Sequence, residues 1–482
     1  MKAAPIALLL LLAGCMVGPD YHKPAAEVPT GYKELAGWTP SRPMDALDRG
    51  AWWSVYHDPI LDGLERQIDI SNQNLKESEA AYRQATALIA EARAGLLPTL
   101  SLDGSYTRQQ SGGGGTGASS SGFSRSNGAH DSWSLQGSAS WDLDVWGRIR
   151  RTVESDVANA QASAADLASA RLSAEATLAE DYINLRMEDS LQTVLNGTVA
   201  AFQRSLQITQ NQYTAGTAAQ SDVITAETQL QNAQAQAINV GVARAEDEHA
   251  IAVLIGKPPS ELSLPPQPLM TDVPVVPASL PSTLLQRRPD IAAAERQMQA
   301  ANAEIGVAVA GYYPDVSLSG LFGFTGNPLG TLISSSNRVW SLGASADETL
   351  FNGGLTSAQV RSAEATYDEQ VATYRQTVLT AFQQVEDDLA SLRILEQEMP
   401  VQEAALQSAR RAVQITVNEY QAGTVAYTSV VTAQATELGD EQTVLTLRQE
   451  RLIASIGLIQ ALGGGWDASQ LPSKQAMKQP VF

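Results

Sequence analysis

The 482-residue sequence has a single cysteine, Cys15, and four scattered histidines, so it can form neither an internal disulfide nor a cysteine-based metal site. Basic residues are scarce beside acidic ones, 32 against 52, and the resulting net charge of −20 argues against a nucleic-acid partner. Aromatic residues make up only 6% of the chain, which leaves burial to aliphatic residues and alanine within an ordinary hydrophobic fraction of 44%. Long apolar runs are missing too. None approaches the roughly 18 residues of a membrane-spanning helix, so any part of the chain that crosses a bilayer must be β.

What the chain does have is a repeat. Ile208 to Ala226 reads ITQNQYTAGTAAQSDVITA and Ile415 to Ala433 reads ITVNEYQAGTVAYTSVVTA, identical at 11 of 19 positions with an offset of 415 − 208 = 207. A second echo pairs GLLPTLSLDG, from Gly95, with GYYPDVSLSG, from Gly311. A period near 200 residues is too long for a solenoid unit, so each copy is half of one architecture.

The start of the chain reads as an export signal. Lys2 precedes an apolar run from Ala3 to Ala13, too short to span a bilayer but suited to a signal core. The tetrapeptide Leu12-Ala13-Gly14-Cys15 resembles a bacterial lipobox, which implies that residues 1–14 are removed and that Cys15 carries diacylglyceryl and N-acyl groups. Met16 stands where inner-membrane lipoproteins commonly have Asp, so this resemblance favours the outer membrane.

The remaining segments divide by periodicity. A proline-bearing arm over 15–60 reads as extended. Near-heptad spacing of Leu64, Ile68, Leu75, Tyr82, Ile89 and Leu96 predicts one helix over 61–98. After Pro98 the period falls to two: Leu100, Leu102 and Tyr106, then Trp133, Leu135, Ala139, Trp141, Leu143 and Val145, alternate with polar residues. This predicts a membrane β-hairpin over 99–146 with a Gly/Ser-rich loop from Ser111 to Gly128. A long helical hairpin follows over 147–257, with ten alanines between Asp156 and Glu180 and with residues 148–212 free of proline. That stretch would reach roughly 97 Å, more than any membrane thickness.

A Pro-rich linker over 258–286 leads into the second copy: a helix over 287–313, a β-hairpin over 314–351, a helical hairpin over 352–462 and a tail over 463–482. Val316, Leu318, Phe322, Phe324, Trp340, Leu342, Ala344 and Ala346 form the apolar alternation, and the adjacent Asp347 and Glu348 mark the strand end. Pro400 predicts a kink or break in the long helix. Four strands cannot close a barrel, and open edges in hydrocarbon leave backbone groups unpaired, so the chain must oligomerise. Three copies would supply 12 strands, within the known range, although two or four are not excluded by the strand pattern alone.

Arg287-Arg288-Pro289-Asp290, followed by Ala294-Glu295, Ala301-Asn302, Ile305-Gly306-Val307 and Pro314, resembles the signature of outer-membrane efflux lipoproteins of the NodT/OprM type, in the TolC superfamily. The paired YxxGT segments, the lipobox and Trp146-Gly147-Arg148 fit the same family, while Leu355 stands where it often carries Arg or Lys.

The resemblance implies a mixed α and β membrane protein: a homotrimer whose 12-stranded transmembrane β-barrel continues into a 12-helix periplasmic α-barrel. It further implies a non-enzymatic exit duct in a Gram-negative outer membrane, free of metal and cofactor apart from the lipid on Cys15. Its partners would be outer-membrane lipid, a periplasmic adaptor and an inner-membrane pump of the resistance-nodulation-division class. Drugs or other small toxic compounds are the expected cargo, with metal-ion efflux or type I protein secretion as alternatives. A non-conducting lipid-anchored structural or adhesive protein is the alternative of another class.

By the same resemblance, Gly216, Thr217, Ala218 and Ala219 with Gly423, Thr424, Val425 and Ala426 form the adaptor-docking tips. Asp222, Tyr213 and Tyr420 are the gate candidates. At the offset of 207, Asp222 is matched by Ser429, so one carboxylate ring is expected rather than two.

Overall fold

A computed structural model describes residues 16–29, 31–35, 51–110, 129–274 and 281–477. Helices α1 (Pro59–Ser71) and α2 (Gln73–Ala94) lead into strands β1 (Thr99–Gln109) and β2 (His130–Asp142). The first helical hairpin follows, α3 (Arg148–Thr214) and α4 (Gln220–Leu254), and then short α5 (Pro281–Arg287) and α6 (Pro289–Ala310). Strands β3 (Asp315–Gly326) and β4 (Arg338–Asp347) precede the second helical hairpin, α7 (Leu355–Gln421) and α8 (Tyr427–Ala461). The repeat extends well beyond its 19-residue signature: α3 and α7 have 67 residues each, and α4 and α8 have 35 each.

The four strands form one antiparallel sheet in the order β1-β2-β3-β4, leaving β1 and β4 with unpaired edges. Because side chains alternate along each strand, the register sorts residues into two faces. Leu100, Ala139, Gly320 and Leu342 share one cross-strand row, and Leu102, Gly137, Phe322 and Trp340 the next. On the other face serine hydroxyls meet across strands, Ser101 with Ser138 at 2.7 Å, Ser105 with Ser134 at 2.7 Å and Ser317 with Ser345 at 2.9 Å, with Leu321 and Val339 the apolar exceptions. The apolar face is bare, as a lipid-facing surface requires. β4 ends at Asp347, as the paired acids predict, whereas Leu143 and Val145 lie beyond β2 in the turn into α3.

One helical expectation is corrected, and of the kink or break expected at Pro400 the break is absent. The helix expected over 61–98 is interrupted at Asn72, whose backbone is extended at ψ 124°. Its side chain accepts the Leu75 amide at 3.0 Å, capping α2, and donates to the Leu254 carbonyl at 2.8 Å, so the break forms a socket for the end of α4. The heptad pattern runs through this point because both pieces bury the same side.

At Pro400 the opposite holds: α7 runs through it without a break. The lost amide is a local penalty, while Met399 and Leu406 pack with Val444 and Leu447 of α8 and hold both flanks in register.

The main core lies at the equator, where α1, the arm residues Trp52, Trp53 and Tyr56, the middle of α3 and α7, the first half of α6 and the end of α8 converge. The Pro-rich connection is pinned there through Asp189 on α3. Its carboxylate accepts from Arg186 at 2.8 Å, from Arg244 at 2.7 Å and from the Gln267 amide at 2.9 Å, while the two arginines hold the Pro265 and Leu264 carbonyls.

Candidate functional site

Both long helices end in the same cap. Gly216 and Gly423 take φ of 79° and 75°, a left-handed conformation that glycine adopts without a Cβ penalty. The following threonines fold back identically: the Thr217 amide donates to the Gln212 carbonyl at 2.9 Å and the Thr424 amide to the Glu419 carbonyl at 2.9 Å, each joined there by its own hydroxyl. The duplicated Gly-Thr pair is therefore the stop signal of each helix. It leaves Gly216, Thr217, Ala219, Gly423, Thr424 and Ala426 exposed at one end of the molecule, with Ala218 and Val425 half-buried.

The candidate gate residues separate into unlike environments. Tyr213 is 47% exposed, whereas its counterpart Tyr420 is 6% exposed. The Tyr420 hydroxyl donates to Thr209 at 3.3 Å, its carbonyl accepts from Gln212 at 3.0 Å, and its ring lies 5.3 Å from that of Tyr427. Tyr427 was not among the candidates. It occupies the place of Gln220 at the 207-residue offset, and that change from polar to aromatic was the available signal. With Ala226 and Val430, the two tyrosines form an apolar plug between the hairpins.

Asp222 is half-buried in the first turn of α4, where its carboxylate accepts the Ala219 amide at 3.3 Å. Its charge reaches the tyrosines. Burial is the main cause that raises the Tyr427 pKa to about 12, with Tyr420 and the Asp222 carboxylate adding to it. Tyr420 is raised by burial and by Asp222 against the Thr209 bond. Asp222, Tyr420 and Tyr427 thus form one group, and Tyr213 stands outside it.

At the opposite end of α3, the start of the arm is fixed to the junction of sheet and helices. The Val17 amide donates to the Trp146 carbonyl at 3.1 Å, and buried Arg151 holds the Val17 and Gly18 carbonyls at 3.0 and 3.2 Å. Gly18 presses on Gly306, where a Cβ would come within 2.4 Å of the opposing Cα. Trp146 stacks on Tyr313 at 4.7 Å. Cys15 itself lies outside the described residues. The Arg-Arg-Pro-Asp motif ties helices together: Arg288 is clamped by Asp290 at 2.7 Å and donates to the Ala461 carbonyl of α8 at 3.0 Å.

Among the described residues no three His, Cys, Asp or Glu side chains gather as a metal site, and no helix is long and apolar enough to cross a membrane. The sheet with one bare apolar face, joined end-on to helices roughly 100 Å long, defines a subunit of an outer-membrane channel that extends into the periplasm.

Comparison with known proteins specifies the class further. The family described as outer membrane efflux protein matches residues 65–257 and 280–464, and the chain belongs to it. It is 31% identical to the pyoverdine export outer membrane protein OpmQ of Pseudomonas aeruginosa over 470 residues, 96% of this chain and 97% of that one. It is 28% identical to the probable efflux pump outer membrane protein TtgC of Pseudomonas putida over 459 residues, covering 95% and 94%. The solved outer-membrane channel OprN superposes with a TM-score of 0.86 at 30% identity, covering 94% of this chain and all of that one. The fold is that of trimeric barrels in which each chain supplies four strands, and the chain is the outer-membrane channel of an efflux system.

Proposed function

We propose that the chain closes as a homotrimer and serves as the exit duct for an inner-membrane pump of the resistance-nodulation-division class, joined to it by a periplasmic adaptor at the exposed Gly-Thr tips. The observation that carries this reading is the pattern of bare edges. Among the described residues the outer edges of β1 and β4 lack partners, and α4 and α7 expose Ile238, Val242, Leu379 and Val401 along the outer sides of their hairpins. Copies of the same chain satisfy both at once. Drugs or other small toxic compounds are the cargo this reading favours, in keeping with relatives named for toluene and antibiotic efflux. A strain lacking the chain, and any redundant duct, would then become sensitive to such compounds; an unchanged profile across drugs and metals would remove the efflux reading.

Conductance across a planar bilayer tests the duct directly. The wild-type trimer should pass ions with small, mostly closed events, and Asp222→Ala should raise the open fraction, because it removes the carboxylate and the cap on Ala219. The loss of tip stability should be about 0.5–1 kcal/mol. No conductance from either protein would sink the duct, while equal conductance would remove only the gating role of Asp222.

Lipidation at Cys15 is part of the same proposal. Its support is the fastening of Val17 and Gly18 at the end of the sheet, a position that brings an attached acyl chain to the inner leaflet. Cys15→Ser should abolish incorporation of labelled palmitate; retained label would place the lipid elsewhere.

A further inference from the structure

Glu65 lies on the apolar stripe of α1 with Leu61, Leu64 and Ile68, and it is 1% exposed. Neither carboxylate oxygen has a hydrogen-bond partner among the described residues. An ionised carboxylate is very unfavourable in such a place, so burial favours the protonated form. Burial, and then the charges of Glu175, Asp69 and Asp62, hold it well above the usual carboxylate range.

Glu175, also buried, projects from α3 and accepts the Trp52 indole N–H at 2.9 Å. Burial raises it to about 7 against the Trp52 bond and Arg171, with Asp69 adding to the rise. Among the described residues Arg171 is the cation of the group: it pairs with Asp69 and lies 3.6 Å from Glu175. Trp52 and Tyr56 seat the arm on this region, Trp52 through Glu175 and Tyr56 through a 2.7 Å hydroxyl contact with Ser455 of α8.

We infer that this cluster is a pH-dependent seat for the N-terminal arm: with Glu65 uncharged the Trp52–Glu175 bond holds residues 52–56 against the equator, and further negative charge on the buried pair loosens them. Release of the arm opens the pair to water and moves its ionisation toward the ordinary glutamate value, near pH 4.3. The seated chain keeps its proton to higher pH, so it binds more protons than the released one. The grip is then full at low pH, falls as pH rises between the two pKa values, and stays low above the seated one.

Hydrogen exchange of the intact trimer, corrected for the intrinsic pH dependence of amide exchange, tests this at residues 52–56. Protection in the wild type should fall at least tenfold between pH 5 and pH 9, about one pKa unit of linkage. Glu65→Gln should lose clearly less protection than the wild type across the same range, because Glu175 alone then titrates. Should that variant fail to assemble, Glu175→Gln serves instead, because removing the neighbouring charge should move the fall to lower pH. Wild-type protection that is flat with pH, a Glu65→Gln profile that falls like the wild type, or an unmoved midpoint in Glu175→Gln would each overturn the inference.

Discussion

Leu342→Arg should abolish assembly of the trimer in the membrane. Leu342 is 83% exposed near the middle of β4, on the cross-strand row with Leu100, Ala139 and Gly320. An arginine facing lipid near the bilayer midplane costs about 2–4 kcal/mol, and threefold symmetry multiplies this to roughly 6–12 kcal/mol per trimer. Its neighbour Ser341 pairs with Leu321 and lies on the face that carries the serine hydroxyls. Ser341→Arg should therefore assemble. Heat-resistant trimer on a gel, with membrane fractionation, distinguishes the two; assembly of Leu342→Arg together with failure of Ser341→Arg would show that the faces are reversed.

The second large effect is expected at the equator. Asp189→Ala removes the only carboxylate among the described residues that Arg186 bonds, and Arg186 is 1% exposed, so the guanidinium would be left buried without that counter-ion. Breaking a buried pair in this way costs about 3–5 kcal/mol. Arg244 is more accessible to water and still has Glu248 at 3.5 Å, so the lower end of that range applies. The thermal midpoint in detergent should drop, and amides over 262–270 should lose protection first, because Gln267 and the carbonyls of Leu264 and Pro265 are held through this group. Replacing Asp189 and Arg186 together with leucine and methionine should recover much of the loss. If Asp189→Ala alone shifts stability by less than about 1 kcal/mol, the pair does not anchor the connection.

Much of this molecule was legible in the amino-acid order. The alternation through Leu100 and Leu102, and again through Trp340 and Leu342, has the period of a strand with one wet face. A lipid-exposed sheet obeys that period strictly, because no packing partner can rescue a misplaced charge. The copies at Tyr213 and Tyr420 marked the helix ends because a left-handed glycine followed by a hydroxyl residue is a local device, independent of what surrounds it.

Other features were hidden because they depend on neighbours distant in sequence. Asn72 interrupts the first helix only where it receives the end of α4. Glu65 could have been suspected, since it sits at a position where the stripe of Leu61, Leu64 and Ile68 calls for an apolar residue. Nothing local, however, shows Glu175 beside it.

Local pattern alone specified the two faces of the sheet, the length of the hairpins, their duplication and the need for further copies, all of which follow from periodicity, rise per residue and unpaired edges. Packing between the copies decided the rest. Tyr213 and Tyr420 share the same local sentence, yet the side of α8 that carries Tyr427 lies against α3 and buries one tyrosine while leaving the other bare. Within one chain the two identical signals acquire different surroundings because its halves are flanked unequally, each meeting the other across one side.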